Sequence, residues 1–544
     1  MTMLSWADHS LSPPRVEIPR RYNAAQDLLE RNLTGGRASK VAYIDDAGTC
    51  TYAELNARVN RFANVLAALD IRREQRVALL LHDTIDYPVA FLGCIKAGVV
   101  PVAINTLLSA PDVLYILDDS RACAIVISAP LLESFQAQIA AASSLQQVIV
   151  SGPHTRGEGL QELLEQQSDT YSPASTTSDD MCFWLYSSGS TGPPKAAVHV
   201  HASLIQTAEL YARPIAGYCA DDVVFSVSKL PFAYGLGNSL TFPLAVGATA
   251  ILMAERATPA AIIDRLLRHR PTVLCSIPTS YATLLAQPDL PTREELQLRV
   301  CISAGEALPA EVGSRWLHRF GVDILDGIGS TEMLHIYMSN RSGNVCYGTT
   351  GRPVPGYEVR IVNEEGQSVP PGEAGELHVR GPSGALFYWN NRARSRSTFL
   401  GEWLRTGDKF VQRADGSFVF EGRSDDMIKV GGLYVSPVEV EAALIRHDAV
   451  LEAAVVARRD AHGLSKPGAY VVLKPGRLVS VQELQEHVKS YLAPYKYPRW
   501  VEILAELPKT ATGKIQRFKL REQASQQAAD LDLTRESSRG DRAG

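Results

Sequence analysis

The sequence lacks any long block of basic residues, and its net charge is small for its length. Lys and Arg number 54 and Asp and Glu number 59 among 544 residues, which gives a formal charge of −5. A nucleic acid or an anionic membrane is usually bound through a basic patch, so neither is expected as a partner. Hydrophobic residues make up 45% and charged residues 21%, as in an ordinary soluble globular protein.

A targeting segment and a membrane span are also missing. The N-terminal region contains no basic stretch followed by an apolar one, so no secretory signal is expected. The most apolar region, around 91–104, is interrupted by Lys96 and Pro101 and is too short to cross a bilayer. These features predict a cytoplasmic protein.

The cysteines form no C-x-x-C pair. All 8 are scattered along the chain, mostly in apolar surroundings, so we expect reduced core thiols and no disulfide or metal ligand. The GxGxxG fingerprint, the HExxH zinc motif, the Walker A spacing and the GxSxG elbow are absent as well. A lyase, a hydrolase or a dehydrogenase would need a different set of residues.

The pattern of apolar residues predicts a multidomain α/β protein. A chain of this length exceeds what one core supports, and helix and strand signals alternate along it. Thr51 and Glu54 form a capping box ahead of a helical apolar pattern. Near-continuous apolar runs at 76–82 and 98–104 predict parallel strands covered on both faces.

Two changes of pattern mark the later part of the chain. Residues 354–381 alternate apolar strands with turns, which indicates a smaller antiparallel or barrel-like unit. Residues 422–432 concentrate glycine and charge, and Ser436 with Pro437 opens a new helix. The end of the chain is polar and nearly free of aromatic residues. We therefore expect an N-terminal domain at 1–424, a compact α/β domain at 425–522 and a disordered tail at 523–544.

The most informative stretch, 186–195, reads YSSGSTGPPK and follows the strand-like MCFWLY. Small residues let the backbone wrap around phosphate oxygens, to which main-chain N–H groups, hydroxyls and a lysine can bind. On composition alone a flexible Ser/Gly linker is an alternative.

This stretch resembles the signature of acyl-adenylate-forming enzymes, which include acyl-CoA synthetases, firefly luciferase and peptide-synthetase adenylation domains. Five more segments similar to the family's follow in its order, and together the matches argue against a linker: SAGEALP (303–309), DGIGSTE (326–332), TGD (406–408), GRSDDMIKVGG (422–432) and PKTATGKIQR (508–517). The resemblance implies a large N-terminal domain of layered α/β sheets with a small β-barrel-like unit, then a small mobile α/β C-terminal domain.

The resemblance also implies ATP, coenzyme A and Mg²⁺ as reactants and cofactor. Glu332 would hold Mg²⁺, with Thr191 beside the metal or the phosphates, and Asp408 would bind the ribose hydroxyls. Taken alone, Glu332 could be a first-turn helix acid and Asp408 a turn residue. The full set implied to bind the nucleotide is Ser188, Gly189, Ser190, Thr191, Gly192, Lys195, Gly305, Glu306, Ala307, Asp326, Gly327, Ser330, Thr331, Asp408, Arg423 and Lys514.

Lys514 is the implied catalyst of adenylation, together with Thr191 and Glu332. Its ammonium group can bridge the incoming carboxylate and the α-phosphate as charge develops. Family members rotate the C-terminal domain between half-reactions about a residue that corresponds to Asp425. Lys429, Gly431 and Gly432 would then lie along the path of the coenzyme A thiol.

The implied acyl pocket favours a flat aromatic acid. The segments FAYGLGN (232–238) and GSTEMLHIYMSN (329–340) resemble those of benzoate-CoA ligases, and no acidic residue stands where amino-acid activators bind an ammonium group. Ala233, Ala304 and Gly329 would leave a slot between walls that include Tyr234 and Ile336. His335 either fills a wall or contacts the acid, so benzoate, 2-aminobenzoate and hydroxybenzoates all stay open.

The function expected from the sequence is therefore an aryl acid-CoA ligase. A stand-alone enzyme that loads an aryl group onto a carrier-protein pantetheine is the alternative, because both acceptors present the same thiol. A catalytically inactive nucleotide sensor is disfavoured, since Thr191, Glu332, Asp408, Arg423 and Lys514 are all present. Family precedent is compatible with a homodimer.

Overall fold

The computed structural model describes residues 4–154, 157–187, 193–424, 426–430, 433–460, 464–509, 515–524 and 526, without the side chains of residues 429, 433 and 434.

Helices and strands alternate along the described chain. The helices are α1 (Ala24–Thr34), α2 (Tyr52–Ala68), α3 (Asp86–Lys96), α4 (Ala110–Ser120), α5 (Ala129–Ala141), α6 (Leu160–Glu165), α7 (His201–Thr207), α8 (Ala233–Leu236), α9 (Phe242–Val246), α10 (Pro259–His269), α11 (Pro278–Leu285), α12 (Ala310–Phe320), α13 (Arg392–Thr398), α14 (Pro437–Ile445) and α15 (Val481–Tyr491), with π-helical turns at Ala208–Ala212 and Gly237–Thr241 and a 3₁₀ turn at Arg293–Glu295. The strands are β1 (Trp6–Asp8), β2 (Arg15–Glu17), β3 (Val41–Asp45), β4 (Gly48–Thr51), β5 (Arg76–Leu80), β6 (Val100–Ala103), β7 (Ala124–Ser128), β8 (Gln147–Ser151), β9 (Glu158–Gly159), β10 (Met181–Ser187), β11 (Lys195–Val200), β12 (Val223–Ser226), β13 (Thr249–Ile251), β14 (Val273–Ser276), β15 (Val300–Ala304), β16 (Ile324–Gly329), β17 (Ile336–Ser339), β18 (Arg352–Pro353), β19 (Glu358–Val362), β20 (Ala374–Arg380), β21 (Phe399–Leu400), β22 (Trp403–Gln412), β23 (Phe418–Arg423), β24 (Ile428–Val430), β25 (Leu433–Val435), β26 (Val450–Arg459), β27 (Ser465–Leu473) and β28 (Trp500–Leu504).

Sheet A is a seven-stranded sheet in the order β11-β10-β6-β5-β7-β8-β9. The predicted strands at 76–82 and 98–104 are β5 and β6, which pair in parallel on either side of helix α3. Strand β6 is buried along its whole length and β5 along all but its first residue, as the continuous apolar runs predict. At one edge, β10 and β11 pair antiparallel, and the chain between them is the predicted phosphate-binding stretch.

Sheet B is a nine-stranded sheet in the order β18-β17-β16-β15-β14-β12-β13-β3-β4. Its centre is parallel, and antiparallel strands close both edges. The parallel strands β15 and β16 end at neighbouring positions, so the SAGE and GSTE segments that follow them come together. The capping box of Thr51 and Glu54 opens helix α2 as predicted, with both reciprocal hydrogen bonds present.

The predicted antiparallel unit is confirmed. Strands β19 and β20 pair antiparallel, and β22 joins them and pairs in turn with β23. Thus the α/β class, with layered sheets and a smaller antiparallel unit in the large N-terminal part, agrees with the sequence expectation.

The C-terminal part of the chain, residues 426–524, carries a hydrophobic core of its own. Ser436 caps helix α14 by accepting the amide of Glu439, as predicted. A further helix covers 517–524 and so extends past residue 522, where the C-terminal domain was expected to end. Ala524, in the last turn of this helix, is buried. Residues 527–544, most of the predicted tail, lie outside the described residues.

The cysteines and the helix lengths bear on the expectations of reduced core thiols and of no membrane span. All eight cysteines are free thiols, and six are buried, whereas Cys219 is exposed and Cys346 is partly exposed. Every helix in the described ranges is too short or too polar to cross a lipid bilayer.

Two histidines, His199 and His201, are buried in the fold. Burial lowers the pKa of both His199 and His201 to about 4. The neutral ring of His201 accepts the amide of Ala24, the first residue of helix α1, at 3.1 Å. Protonation would remove this acceptor and place an unpaired charge in the core.

We predict that stability falls as the pH drops from 7 to 5. The folded pKa lies below the ordinary value near 6.5, so the unfolded chain binds the proton first and stability is lost between those two values. Each such histidine contributes a loss of about 2 kcal/mol over this range. Urea unfolding of His201→Gln should show a shallower pH dependence than the wild type. The exposed His318→Gln is the control, and equal slopes for the two variants would contradict the prediction.

Candidate active site

The predicted phosphate-binding stretch joins two strands at the edge of sheet A. Ser187 and Lys195 are paired across β10 and β11, so the stretch begins and ends at adjacent points. Several predicted residues lie outside the described residues, namely Ser188, Gly189, Ser190, Thr191, Gly192, Asp425, Gly431, Gly432 and Lys514, as does the side chain of Lys429. Their assignments stay predictions.

Lys195, Glu332 and Tyr388 form a compact charged cluster. The Lys195 ammonium donates to Glu332 Oε1 at 3.1 Å and to the phenolic oxygen of Tyr388 at 2.6 Å. The Tyr388 hydroxyl donates to the same Glu332 Oε1 at 2.6 Å. The structure thus brings together Lys195 and Glu332, which the sequence predicts separately, and adds Tyr388, which it does not.

The electrostatics of this cluster keep Glu332 ionised. Burial by itself would raise the pKa of Glu332, but the nearby Lys195 charge and the Tyr388 hydrogen bond lower it overall. Burial and the negative charge of Glu332 raise the pKa of Tyr388 well above its usual value, so its phenol stays protonated and donates.

The ends of β15 and β16 present the residues predicted to bind adenine. Gly305 has a φ of +94°, a left-handed conformation that favours glycine, and it turns the chain directly after β15. Glu306 accepts the Thr279 hydroxyl at 2.8 Å. Burial raises the pKa of Asp326 to about 8, and its Oδ1 has no hydrogen-bond partner among the described residues. A ligand donor such as an amino group could pair with this oxygen.

The remaining predicted nucleotide residues lie in the turn that follows β16 and on the paired strands β22 and β23. Ser330 Oγ accepts the amide of Met333 at 3.1 Å, and the Thr331 carbonyl accepts from His199 Nε2 at 2.8 Å. Asp408 and Arg423 face each other across β22 and β23 and form an ion pair of 2.9 Å. Asp408 is buried while Arg423 is half exposed, so the pair lies at the surface of the antiparallel unit.

The predicted acyl-pocket residues converge around His335. Its ring lies 5.5 Å from the ring of Tyr234 and is also packed against Tyr211 and Phe242, at 5.4 and 4.4 Å between centroids. Burial lowers the pKa of His335 to about 3, so the ring is neutral. Neither ring nitrogen has a hydrogen-bond partner among the described residues.

The small residues predicted to form the slot lie on β15, β16 and α8. Ile336 pairs with Gly329 across β16 and β17, and Ala304 pairs with Gly327 in β15 and β16. Ala233 is the first residue of α8, ahead of Tyr234. The sequence missed Tyr211 and Phe242, because neither lies in a segment similar to the family's.

A tight turn places His335 and Glu332 on different sides of the site. Leu334 has a φ of +66°, which is rare for a branched side chain and stores backbone strain. The amide of Leu334 donates to the Thr331 carbonyl at 3.2 Å and closes the turn. The charged and the neutral halves of the site are therefore three residues apart in the chain.

A metal ion would have few protein ligands here. Across the described ranges, no group of three or more His, Cys, Asp or Glu is arranged to hold one. Mg²⁺ usually takes one or two carboxylates and completes its shell with water and substrate phosphates. The partly buried carboxylate of Glu332, which contacts Lys195 at the end of the phosphate-binding stretch, fits such a site.

Two family models match the chain. The model described as AMP-binding enzyme matches residues 29–389, and the model described as AMP-binding enzyme C-terminal domain matches residues 439–514. Together they cover both the sheets that carry the site and the C-terminal part.

Three relatives are similar over nearly the whole chain. A benzoate-CoA ligase of Thauera aromatica is 57% identical, covering 96% of this chain and 100% of its own. A 4-hydroxybenzoate-CoA/benzoate-CoA ligase of Rhodopseudomonas palustris is 47% identical, covering 92% and 94%. The crystal structure of the anthranilate CoA ligase AuaEII, in complex with anthranoyl-AMP, has a TM-score of 0.90 at 41% identity, covering 94% of this chain and 99% of that one.

We predict that Gly237→Ala disrupts the pocket. A Cβ at this position would lie 2.3 Å from Cδ2 of His335, whose ring is enclosed by other rings and has little room to move. The expected loss of unfolding free energy is about 1–3 kcal/mol, measured by urea denaturation. Gly384→Ala is the matched control, since its Cβ would meet nothing closer than 3.5 Å. Equal stability of the two variants would show that the His335 ring moves aside, and would contradict the prediction.

Proposed function

Because the chain belongs to the AMP-binding enzyme family, we propose that it is an AMP-forming ligase that joins a benzoate-type acid to coenzyme A. In the first step the carboxylate attacks the α-phosphate of ATP, giving aryl-AMP and pyrophosphate. In the second step the thiol of coenzyme A attacks the aryl carbonyl, giving the thioester and AMP. The proposal depends on one observation: the aromatic rings around the neutral His335 lie three residues from Glu332, a partly buried and ionised carboxylate.

Glu332 and Lys195 would handle the charge of the triphosphate. When bound, Mg²⁺ would neutralise phosphate oxygens and so favour attack at phosphorus. Glu332 would hold the metal, Thr191 would bind beside it, and Lys195 would donate to the phosphates. Lys514 would bridge the carboxylate and the α-phosphate as negative charge develops.

The rest of the nucleotide would lie between the ends of β15 and β16 and the antiparallel unit. The backbone of Gly305, Glu306 and Ala307 would face adenine, and the buried Oδ1 of Asp326 would accept from its amino group. Asp408 would bind the ribose hydroxyls, and its ion pair with Arg423 keeps that carboxylate oriented.

The neutral pocket favours a flat apolar ring. Aromatic contacts with Tyr234 would add about 1 kcal/mol beyond the area buried. Because His335 is neutral and its nitrogens lack partners among the described residues, an ortho amino or hydroxyl group could bind there. Benzoate, 2-aminobenzoate and hydroxybenzoates are therefore the proposed acids, in keeping with the names of the relatives.

For the second step, the C-terminal domain at 425–522 would rotate to a position different from the one that it takes in the first step. A unit with its own core can rotate as a body about a junction such as Asp425. Lys429, Gly431 and Gly432 would then line the thiol path. The relatives' names favour coenzyme A over a carrier protein as acceptor, whereas a homodimer and a cytoplasmic location stay predictions.

We predict that pyrophosphate release with benzoate or 2-aminobenzoate exceeds that with a medium-chain fatty acid by at least about tenfold, because a ring-shaped slot binds a flexible chain poorly. A coupled pyrophosphate assay measures the first step, and chromatography detects the thioester formed with free coenzyme A. A fatty-acid preference would contradict the pocket assignment. Pyrophosphate release without thioester would instead favour a carrier protein.

We predict that Lys514→Ala lowers the rate of pyrophosphate exchange by about 10²–10³, the usual effect of removing a group that stabilises transition-state charge. Thioester formation from supplied aryl-AMP should stay near the wild-type rate, because the lysine acts in the first step. Lys519→Ala, which changes an exposed lysine of the helix at 517–524, is the control. Undiminished exchange would refute the assignment of Lys514.

A further inference from the structure

Tyr388 has no role in the function proposed so far, yet it lies at the centre of the charged cluster. We propose that Tyr388 is a positioning residue for the binding of Mg²⁺ and ATP, whose phenol fixes the Glu332 carboxylate and holds Lys195 beside it. The inference rests on the proposed function, because that function brings the metal and the triphosphate to Glu332 and Lys195.

The phenol takes part in two hydrogen bonds of opposite direction. It donates to Glu332 Oε1 at 2.6 Å and accepts from the Lys195 ammonium at 2.6 Å. The ammonium also lies 4.2 Å from the centre of the tyrosine ring. Because both Tyr388 and Lys195 donate to Oε1, these contacts set the direction in which the carboxylate presents its second oxygen.

The backbone around Tyr388 is held against the strand that carries Lys195. Tyr388 forms an antiparallel bridge with Ala197, two residues after Lys195 in β11. Its amide donates to Ser395 Oγ at 3.0 Å, and its ring packs on Phe399 at 5.2 Å. Only 2% of the residue is exposed. The phenol therefore has little freedom to leave the cluster.

The next residue fixes the same segment to another part of sheet A. Trp389 donates from Nε1 to the Asp119 carbonyl at 2.9 Å and packs on Trp184 of β10 at 4.4 Å between ring centroids. Its backbone amide donates to Ala196 of β11. Tyr388 is thus anchored on both sides, as a positioning group requires.

The arrangement has a consequence for ligand exchange. When a phosphate draws Lys195 away, Tyr388 still donates to Glu332, so the partly buried carboxylate keeps one partner and one orientation. Without the phenol, a phosphate that drew Lys195 away would leave Glu332 without either of the hydrogen bonds that orient it. The metal would then meet a carboxylate of variable direction.

The test is binding of Mn²⁺–ATP to Tyr388→Phe, followed by electron paramagnetic resonance of free Mn²⁺. Mn²⁺ takes oxygen ligands as Mg²⁺ does and gives a signal without turnover. The variant keeps the ring and its packing but loses both hydrogen bonds. We expect the Kd for Mn²⁺–ATP to rise about tenfold, the size of one charge-assisted hydrogen bond. Binding of AMP without metal should stay within about twofold of the wild type.

Two controls separate positioning from a general effect on structure. Tyr52→Phe also removes a fully buried phenol, but its hydroxyl donates to the Ala248 carbonyl, outside the charged cluster. This variant should bind Mn²⁺–ATP as the wild type does. In a Glu332→Gln background, Tyr388→Phe should have a much smaller effect, because only the contact of the phenol with Lys195 remains to be lost.

Three results would overturn the proposal: Mn²⁺–ATP binding by Tyr388→Phe equal to that of Tyr52→Phe, a parallel loss of AMP binding, or a full tenfold effect in the Glu332→Gln background. Failure of the proposed function is a separate outcome. It would appear as a wild-type protein that forms no aryl-CoA, whatever the effect of Tyr388→Phe on metal binding.

Discussion

A carboxylate that is largely shielded from water is stabilised by pairing, and the pairing of Glu332 connects the two large sheets of this protein. Glu332 follows β16 of sheet B, while Lys195 begins β11 of sheet A. Tyr388 belongs to a segment that pairs with β11 and hydrogen-bonds to both. The site therefore lies where the sheets meet, and its charge is balanced only when they are assembled.

The same region changes from charged to neutral over a very short distance. Glu332 is held ionised by Lys195, whereas His335 is held neutral by burial among aromatic rings. The turn through Leu334, with its positive φ, directs the two side chains into different surroundings. A reaction between a polyanion and an aromatic carboxylate needs both environments side by side, one to stabilise charge and one to bind a flat apolar ring.

The C-terminal part has a different relation to the site. Its core packs β26 and β27 with α14 and α15, independently of the sheets that hold Lys195 and Glu332. A partly buried ion pair between Glu441 and Arg517 links α14 to the chain just after the ATGK segment. A catalytic lysine supplied by such a unit would be placed by the position of the unit as a whole, which suits chemistry in two steps.

The sequence alone determined the local elements and the class of chemistry. The capping box of Thr51, the N-cap of Ser436, the apolar strands and the order of the motifs depend on residues close together in the chain, so each leaves a readable pattern. Tertiary structure alone decided the rest. Tyr388 is separated from Glu332 by 56 residues and from Lys195 by 193. Likewise, Tyr211 and Phe242 enclose His335, and Ala524 is buried against distant residues such as Tyr470. Contacts of this kind have no periodicity or spacing in the chain, because they form only when separate sheets and helices pack together.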